Sequence, residues 1–186
     1  ATGGGVTMAC STVVAISAGT KDHLAFGTQP SATGTASTNL AQQPVVLIQD
    51  SDNNQTADTD AITLAAYTDS GCTTTPATGT FSATTNPVSA TAGSATFAGV
   101  KYSKAENIYI KATGGGVTMA CSTVVAISAG TKDHLAFGTQ PSATGNAGSV
   151  LATQPVVLIQ DSDNNQTADT DAITLAAYTD SGCTTT

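Results

Sequence analysis

The chain has 186 residues, a formal net charge of −8 at pH 7, and only five lysine and arginine residues in total. It therefore has no basic patch to neutralise phosphates, which excludes nucleic acid as a partner. None of its apolar runs is long enough for membrane insertion. Val, Ile and Thr, which favour strands, are plentiful, whereas the strong helix formers are scarce. This composition predicts an all-β protein.

The first predicted strand covers residues 6–16, where apolar and polar residues alternate with the period of two of a half-buried strand. No window of the chain shows the 3.6-residue period of a helix. Seven short strands separated by turn-rich segments are typical of an immunoglobulin-like β-sandwich, and a small barrel is the competing architecture. The seven strands follow in chain order at Leu24–Thr28, Val45–Asp50, Ile62–Tyr67, Gly79–Ala83, Ala95–Val100, Ile108–Ala112 and Val117–Ile127.

The chain repeats itself with a period of 111 residues. Residues 1–34 recur letter for letter as 112–145, and residues 45–75 recur as 156–186. A period of this size corresponds to one small domain, because solenoid units have roughly 20–50 residues. Between the two identical stretches, the variable segment (residues 35–42) is predicted to be an exposed connection in which substitution touches no core. Its substituted positions are Thr35, Ser37, Thr38, Asn39 and Gln42.

The last two predicted strands define the frame of the repeat. They flank the glycine turn Thr113–Gly116 and read as one β-hairpin, because glycine readily adopts positive φ. A domain boundary inside this hairpin would separate paired strands, so the boundary is placed in the polar break that follows it. The sequence therefore predicts three parts: a leading segment (residues 1–20) that is the final strand of a preceding repeat, a complete central unit (residues 21–131), and a following segment (residues 132–186) that is the first half of another repeat.

Three stretches carry a resemblance to a known family. They are Leu24–Pro30, Gln43–Asp50 with the Asp52–Asn54 turn that follows it, and Ala95–Phe97. These stretches resemble the bacterial immunoglobulin-like repeats of large surface proteins, such as the invasin- and intimin-type adhesins. The resemblance implies a stalk whose adhesive head lies elsewhere in the chain.

Two cysteines in each period predict disulfides and an oxidising, extracellular setting. With the hairpin kept whole, Cys72 pairs with Cys121 inside the central unit, while Cys10 and Cys183 pair with cysteines of neighbouring repeats. A frame that starts at the first residue would instead join Cys10 to Cys72 and Cys121 to Cys183. Free thiols, with Cys121 on the apolar face of its strand, are the third alternative.

A cluster of acidic and amide residues follows the second predicted strand. Its oxygen-bearing side chains fall at alternate positions, as in loops that bind calcium. The place where a helix-loop-helix calcium motif needs glycine is Gln55, so a solvated turn built by Asp and Asn is the main interpretation and a calcium site the alternative. The candidate ligands are Asp50, Asp52, Asn54, Asp58 and Asp60.

Together these features predict a disulfide-stapled structural repeat of a long extracellular or cell-surface bacterial fibre or adhesin stalk, which acts as a mechanical spacer. Its partners would be adjacent copies of the same repeat, neighbouring fibre chains, or a ligand on a host surface. One alternative is a self-assembling extracellular filament subunit joined by strand donation. Another is a ligand-binding adhesin module that uses the variable segment. Catalysis is not expected, because no histidine-plus-acid constellation accompanies a nucleophile, and no cofactor is expected apart from the calcium alternative.

Overall fold

The computed structural model describes residues 4–5 and 7–184. Every regular element in those residues is a β-strand, so the prediction of an all-β protein is confirmed. The described residues contain no helix of the length and apolarity needed to cross a membrane. Val6, the first residue of the first predicted strand, lies outside the described residues.

The central unit contains eleven strands arranged in two main sheets and one small pair. One sheet is three-stranded in the order β1-β3-β7; the other has the order β2-β11-β9-β4-β6, with β10 beside β9, and β5 pairs with β8. The bounds are β1 Lys21–Thr28, β2 Thr33–Thr35, β3 Val45–Asp50, β4 Ala61–Tyr67, β5 Phe81–Ser82, β6 Val88–Ser89, β7 Ser94–Thr96, β8 Lys101–Tyr102, β9 Asn107–Gly114, β10 Ala120–Cys121 and β11 Val125–Ser128.

Alternation along the longest strands builds one apolar core between the two main sheets. In β3, Val46 and Ile48 are fully buried, while their neighbours on the same strand are only half-buried. Strands β4 and β9 of the other sheet alternate in the same way. Because side chains of a strand point to opposite faces in turn, each sheet presents one apolar face, and the two faces share a single core cluster. This layered packing is that of a β-sandwich.

The predicted hairpin is present, but its second strand is interrupted. Strand β10 pairs with the end of β9 and β11 with its beginning, across a turn in which Gly115 and Gly116 have φ of +64° and +69°. Between β10 and β11, the Ser122 hydroxyl accepts a hydrogen bond from Ile110 N at 2.8 Å and donates to Thr123 O at 2.7 Å. The expectation of one continuous strand over Val117–Ile127 is therefore wrong, because Ser122 takes over hydrogen bonds that a regular ladder would use.

The leading segment corrects a second expectation. Its described residues 7–16 form no strand, although they repeat the sequence of β10 and β11. Val14 is 73% exposed, whereas its copy Val125 is fully buried; Ile16 is 87% exposed, whereas its copy Ile127 is 6% exposed. The two sequences are identical, so the difference comes from tertiary contacts: Val125 and Ile127 belong to β11, which pairs with β9, whereas Val14 and Ile16 belong to no strand.

The following segment reproduces part of the central unit. Its strands β12 (His134–Thr139) and β13 (Val156–Gln160) pair antiparallel, with Leu135 opposite Ile159 as Leu24 is opposite Ile48. Residues 172–178, the copy of β4, form no strand. Within the 186 residues there is one copy of residues 76–111, so the strands that flank β4 in the central unit have no counterpart here.

The variable segment lies closer to the core than expected. Strand β2 ends at Thr35 and pairs in parallel with β11, and the side chains of Ala36 and Leu40 are buried in the core. These two buried residues are the same in both copies, so the substitutions between the copies leave the core unchanged, as expected. All five substituted positions, Thr35, Ser37, Thr38, Asn39 and Gln42, are exposed.

Candidate functional site at the junction between repeats

A covalent cross-link joins the two halves of the central unit. Cys72 and Cys121 form a disulfide across a sequence separation of 49 residues, with their Cα atoms 5.8 Å apart. This is the pairing that follows from keeping the hairpin whole. Cys10 and Cys183 are exposed free thiols in the described structure.

The loop that presents Cys72 is organised by one carboxylate. Asp69 accepts hydrogen bonds from Thr73 N at 2.8 Å and Thr75 N at 2.9 Å. These backbone donors favour the ionised form and lower the pKa of Asp69. In the following segment, Asp180, the copy of Asp69, accepts a hydrogen bond from Thr184 N, the copy of Thr73 N, at 3.2 Å. The loop therefore takes this conformation in both copies, whether or not its cysteine is cross-linked.

The acidic turn after β3 is built around a buried Asp50. Only 4% of Asp50 is exposed, and its carboxylate accepts hydrogen bonds from the backbone N–H groups of Gly19 at 2.7 Å, Asn54 at 2.8 Å and Asp52 at 3.0 Å. The bonds from Gly19 and Asn54 lower the pKa of Asp50 to about 2. The expectation of a solvated turn is thus wrong for Asp50, whose anion is an internal acceptor that ties the turn to the leading segment.

Two of the other candidate calcium ligands, Asp52 and Asn54, contact Asp50 through nitrogen donors and not through ligand oxygens. Asp60 pairs with Lys21 at 2.5 Å, and Asp52 is exposed. Among residues 4–5 and 7–184, no group of three or more acidic, histidine or cysteine side chains is placed to hold a metal ion. The carboxylates of this turn serve hydrogen bonds and an ion pair in the described structure.

The second copy of the acidic turn contacts the central unit. Asn165, the copy of Asn54, donates from Nδ2 to Ser103 O at 2.8 Å and accepts at Oδ1 from Ala105 N at 2.8 Å. One side-chain amide therefore satisfies a carbonyl and an N–H of the loop between β8 and β9, as a neighbouring strand would. Asn165 is 8% exposed, whereas Asn54 is exposed.

Asp161 links this contact to the connection between β11 and β12. Its carboxylate accepts from Gly130 N at 2.7 Å and from the Asn165 amide, and only 1% of the residue is exposed. Burial acts to raise the pKa of Asp161, but the hydrogen bonds from Asn165 and Gly130 outweigh it and lower the pKa. The connection, the turn and the loop of the central unit are thus held together at one point, here called the junction (Ser103, Ala105, Gly130, Asp161 and Asn165).

The variable segment of the central unit faces the junction. A surface cleft beside it is lined by Thr35, Ser37 and Thr38 on one side and by Thr131 and Asp163 on the other. The other two substituted positions, Asn39 and Gln42, are exposed but do not line this cleft. Three of the five positions at which the copies differ therefore line the cleft between the central unit and the following segment.

Sequence reasoning missed half of the junction. It singled out Asn54, whose copy is Asn165, but as a metal ligand, and it gave no role to Ser103 or Ala105. Those two residues contribute backbone groups, which leave no signal in residue type. The repetition of the acidic turn was the one sequence feature that could have indicated a role in contacts between units.

Comparison of the sequence with protein-family models and with curated proteins finds no match.

Proposed function

We propose that the chain is part of a tandem array of immunoglobulin-like sandwiches that serves as a mechanical spacer in an extracellular or cell-surface bacterial fibre or adhesin stalk. The observation that carries the proposal is the junction. The acidic turn of the following segment repeats that of the central unit at an offset of 111 residues, and its Asn165 is hydrogen-bonded to the central unit. A spacer needs such a contact, because reach depends on successive units holding a set direction instead of pivoting on a free linker.

Three further features support a spacer. The central unit carries its own disulfide, which fits an oxidising compartment. Its core contains no Trp and few aromatic residues, so a cross-link replaces stability that a larger core would supply. The resemblance to bacterial immunoglobulin-like surface repeats points to the same class of object.

The test is made on the protein as the cells produce it. An antibody raised against the central unit is expected to label intact cells or extracellular fibres, and electron microscopy is expected to show units repeating every 30–40 Å or so. The spacing follows because eight-residue strands span about 26 Å and loops cap both ends. Labelling confined to the cell interior, or isolated globular particles, would refute the proposal.

Strand donation between separate chains is a second candidate, favoured by one observation. Residues 7–16 expose Val14 and Ile16, whose copies fill the core of the central unit. The following segment leaves Leu175 56% exposed, whereas its copy Leu64 is 2% exposed. A strand from one chain would cover apolar surface on another, although it would not supply the equivalents of β5 to β9.

Mass measurement separates the two candidates. Under denaturing, non-reducing conditions a tandem array gives one long chain, while strand donation gives discrete subunits of about the 18.3 kDa of this chain.

A further inference from the structure

We propose that the exposed Asn54 turn (residues 50–54) is a docking site for the Ser103–Ala105 loop of another copy of this repeat, the one that precedes it in the array. The inference rests on the proposed tandem array and names the contact that orders it. Each repeat would then use both surfaces, the turn toward its predecessor and the loop toward its successor.

The turn has the same geometry with and without its partner. In the central unit, Asp50 Oδ1 accepts from Asn54 N at 2.8 Å and from Asp52 N at 3.0 Å. In the following segment, Asp161 Oδ1 accepts from the equivalent backbone groups at the same two distances. Asn53 and its copy Asn164 share a φ of +65°. Since docking requires no rearrangement of the turn, little ordering entropy opposes it.

The loop that receives the turn is also held in place. On one side, the Tyr102 hydroxyl donates to Glu106 at 2.6 Å and accepts from Gly79 N at 2.6 Å. At its centre, Ser103 Oγ accepts from Thr80 N at 2.8 Å. These bonds leave Ser103 O and Ala105 N for a partner, and in this chain both are taken by Asn165.

The exposed copy of the amide has unused hydrogen-bonding capacity. In the described part of the chain, the Asn54 side chain bonds with Asp50 alone, from Nδ2 at 3.1 and 3.3 Å. Asn165 makes the same bonds with Asp161 and adds the two to the loop. An amide fits this place because it offers a donor and an acceptor side by side, whereas a carboxylate offers acceptors only.

The sequence period decides which loop reaches Asn54. Gly19 N is bonded to Asp50 at 2.7 Å, as Gly130 N is bonded to Asp161, so the connection into each unit is held in the same way. A preceding unit would thus present its loop to Asn54 as the central unit presents its loop to Asn165. Two hydrogen bonds give weak association between separate chains, but a short connection raises the local concentration to the millimolar range.

The main experiment compares two chains by hydrogen exchange of side-chain and backbone amides. In the 186-residue chain, the Asn54 side-chain amide is expected to exchange at least tenfold faster than that of Asn165. The second chain carries an additional copy of residues 21–111 directly before Ala1, which restores the period. In this extended chain the Asn54 amide is expected to become as protected as the Asn165 amide, which serves as the reference in the same molecule.

Matched variants distinguish docking from an effect on the turn itself. In the extended chain, Asn54→Ala is expected to widen the distribution of molecular sizes obtained from small-angle X-ray scattering, because the added unit would no longer be held in one orientation. In the 186-residue chain the same substitution is expected to leave this distribution unchanged. If the Asn54 amide stays unprotected while the added copy forms its disulfide, docking is overturned. Fibres that prove to be built of separate subunits, with Asn54 protected in the extended chain, would overturn the tandem array and leave the docking surface standing.

A measurement on the 186-residue chain alone covers the case in which the extended chain fails to fold. Asn165→Ala is expected to speed exchange of the Ala105 backbone amide at least tenfold, whereas Asn54→Ala leaves it unchanged. If the exchange rate of the Ala105 backbone amide is unchanged in Asn165→Ala, the hydrogen bond from Ala105 N to the Asn165 side chain does not protect that amide. The proposal would then be wrong.

Discussion

Removal of the Cys72–Cys121 disulfide is expected to destabilise the central unit by about 4 kcal/mol. The bond spans a sequence separation of 49 residues, and the loss of loop-closure entropy for a loop of about 50 residues gives this value at 25 °C. In a domain of about 110 residues, 1 kcal/mol corresponds to a shift in Tm of roughly 4 °C, so the expected drop is about 15 °C. The perturbation is the double substitution Cys72→Ala with Cys121→Ala.

The free energy of unfolding is measured by urea denaturation followed by far-UV circular dichroism, with and without reductant. The matched control is Cys10→Ala with Cys183→Ala, which removes two exposed thiols and is expected to change stability by less than about 0.5 kcal/mol. The m-value of the test pair is expected to rise, because an uncross-linked unfolded chain exposes more surface. A loss below about 1 kcal/mol in the test pair, or an equal loss in the control pair, would refute the reasoning about the frame of the repeat.

Three further predictions concern charge and packing. The stabilising contribution of Asp50 is complete above its unfolded pKa of about 3.9 and is lost as the pH falls toward the folded pKa of about 2. The urea concentration at the unfolding midpoint should therefore decrease between these two pH values, and it should decrease less steeply in Asp50→Asn. Burial and the Glu106 carboxylate raise the pKa of Tyr102 to about 12. Stability should therefore be lost as the pH rises from about 10, the unfolded value, to 12, and Tyr102→Phe should lose less stability over the same range. Gly79→Ala should destabilise the protein by about 1–3 kcal/mol, because the added Cβ would lie 2.5 Å from Tyr102 Cζ. Gly71→Ala is the matched control in the same thermal melt and should be neutral, because the nearest atom to its added Cβ lies at 3.5 Å.

The junction was only partly accessible to sequence reasoning. The repeated acidic turn and the variable segment were both recognised as unusual, and three of the substituted positions do line the cleft beside the junction. What Asn165 binds could not be recognised, because Ser103 and Ala105 present backbone groups that every residue carries. Contacts of this kind depend on where two distant loops meet and leave no trace in composition or spacing.

The all-β class, and the alternation of buried and exposed side chains within the strands that form, were determined by the sequence itself. Val46 and Ile48 alternate with less buried neighbours because a strand has a period of two, and this property is local. The glycine turn before Val117 likewise ends β9 through backbone conformations that glycine permits.

Only the tertiary structure decided whether a given stretch becomes a strand. Val14 and Val125 stand in identical sequences, yet the first is 73% exposed and the second is fully buried beside β9. Ile62 and Ile173 differ in the same way, with exposures of 0% and 38%. A strand gains its stability from partners far away in the chain. The same sequence therefore gives a buried strand within the sheet in one copy and exposed apolar side chains in the other.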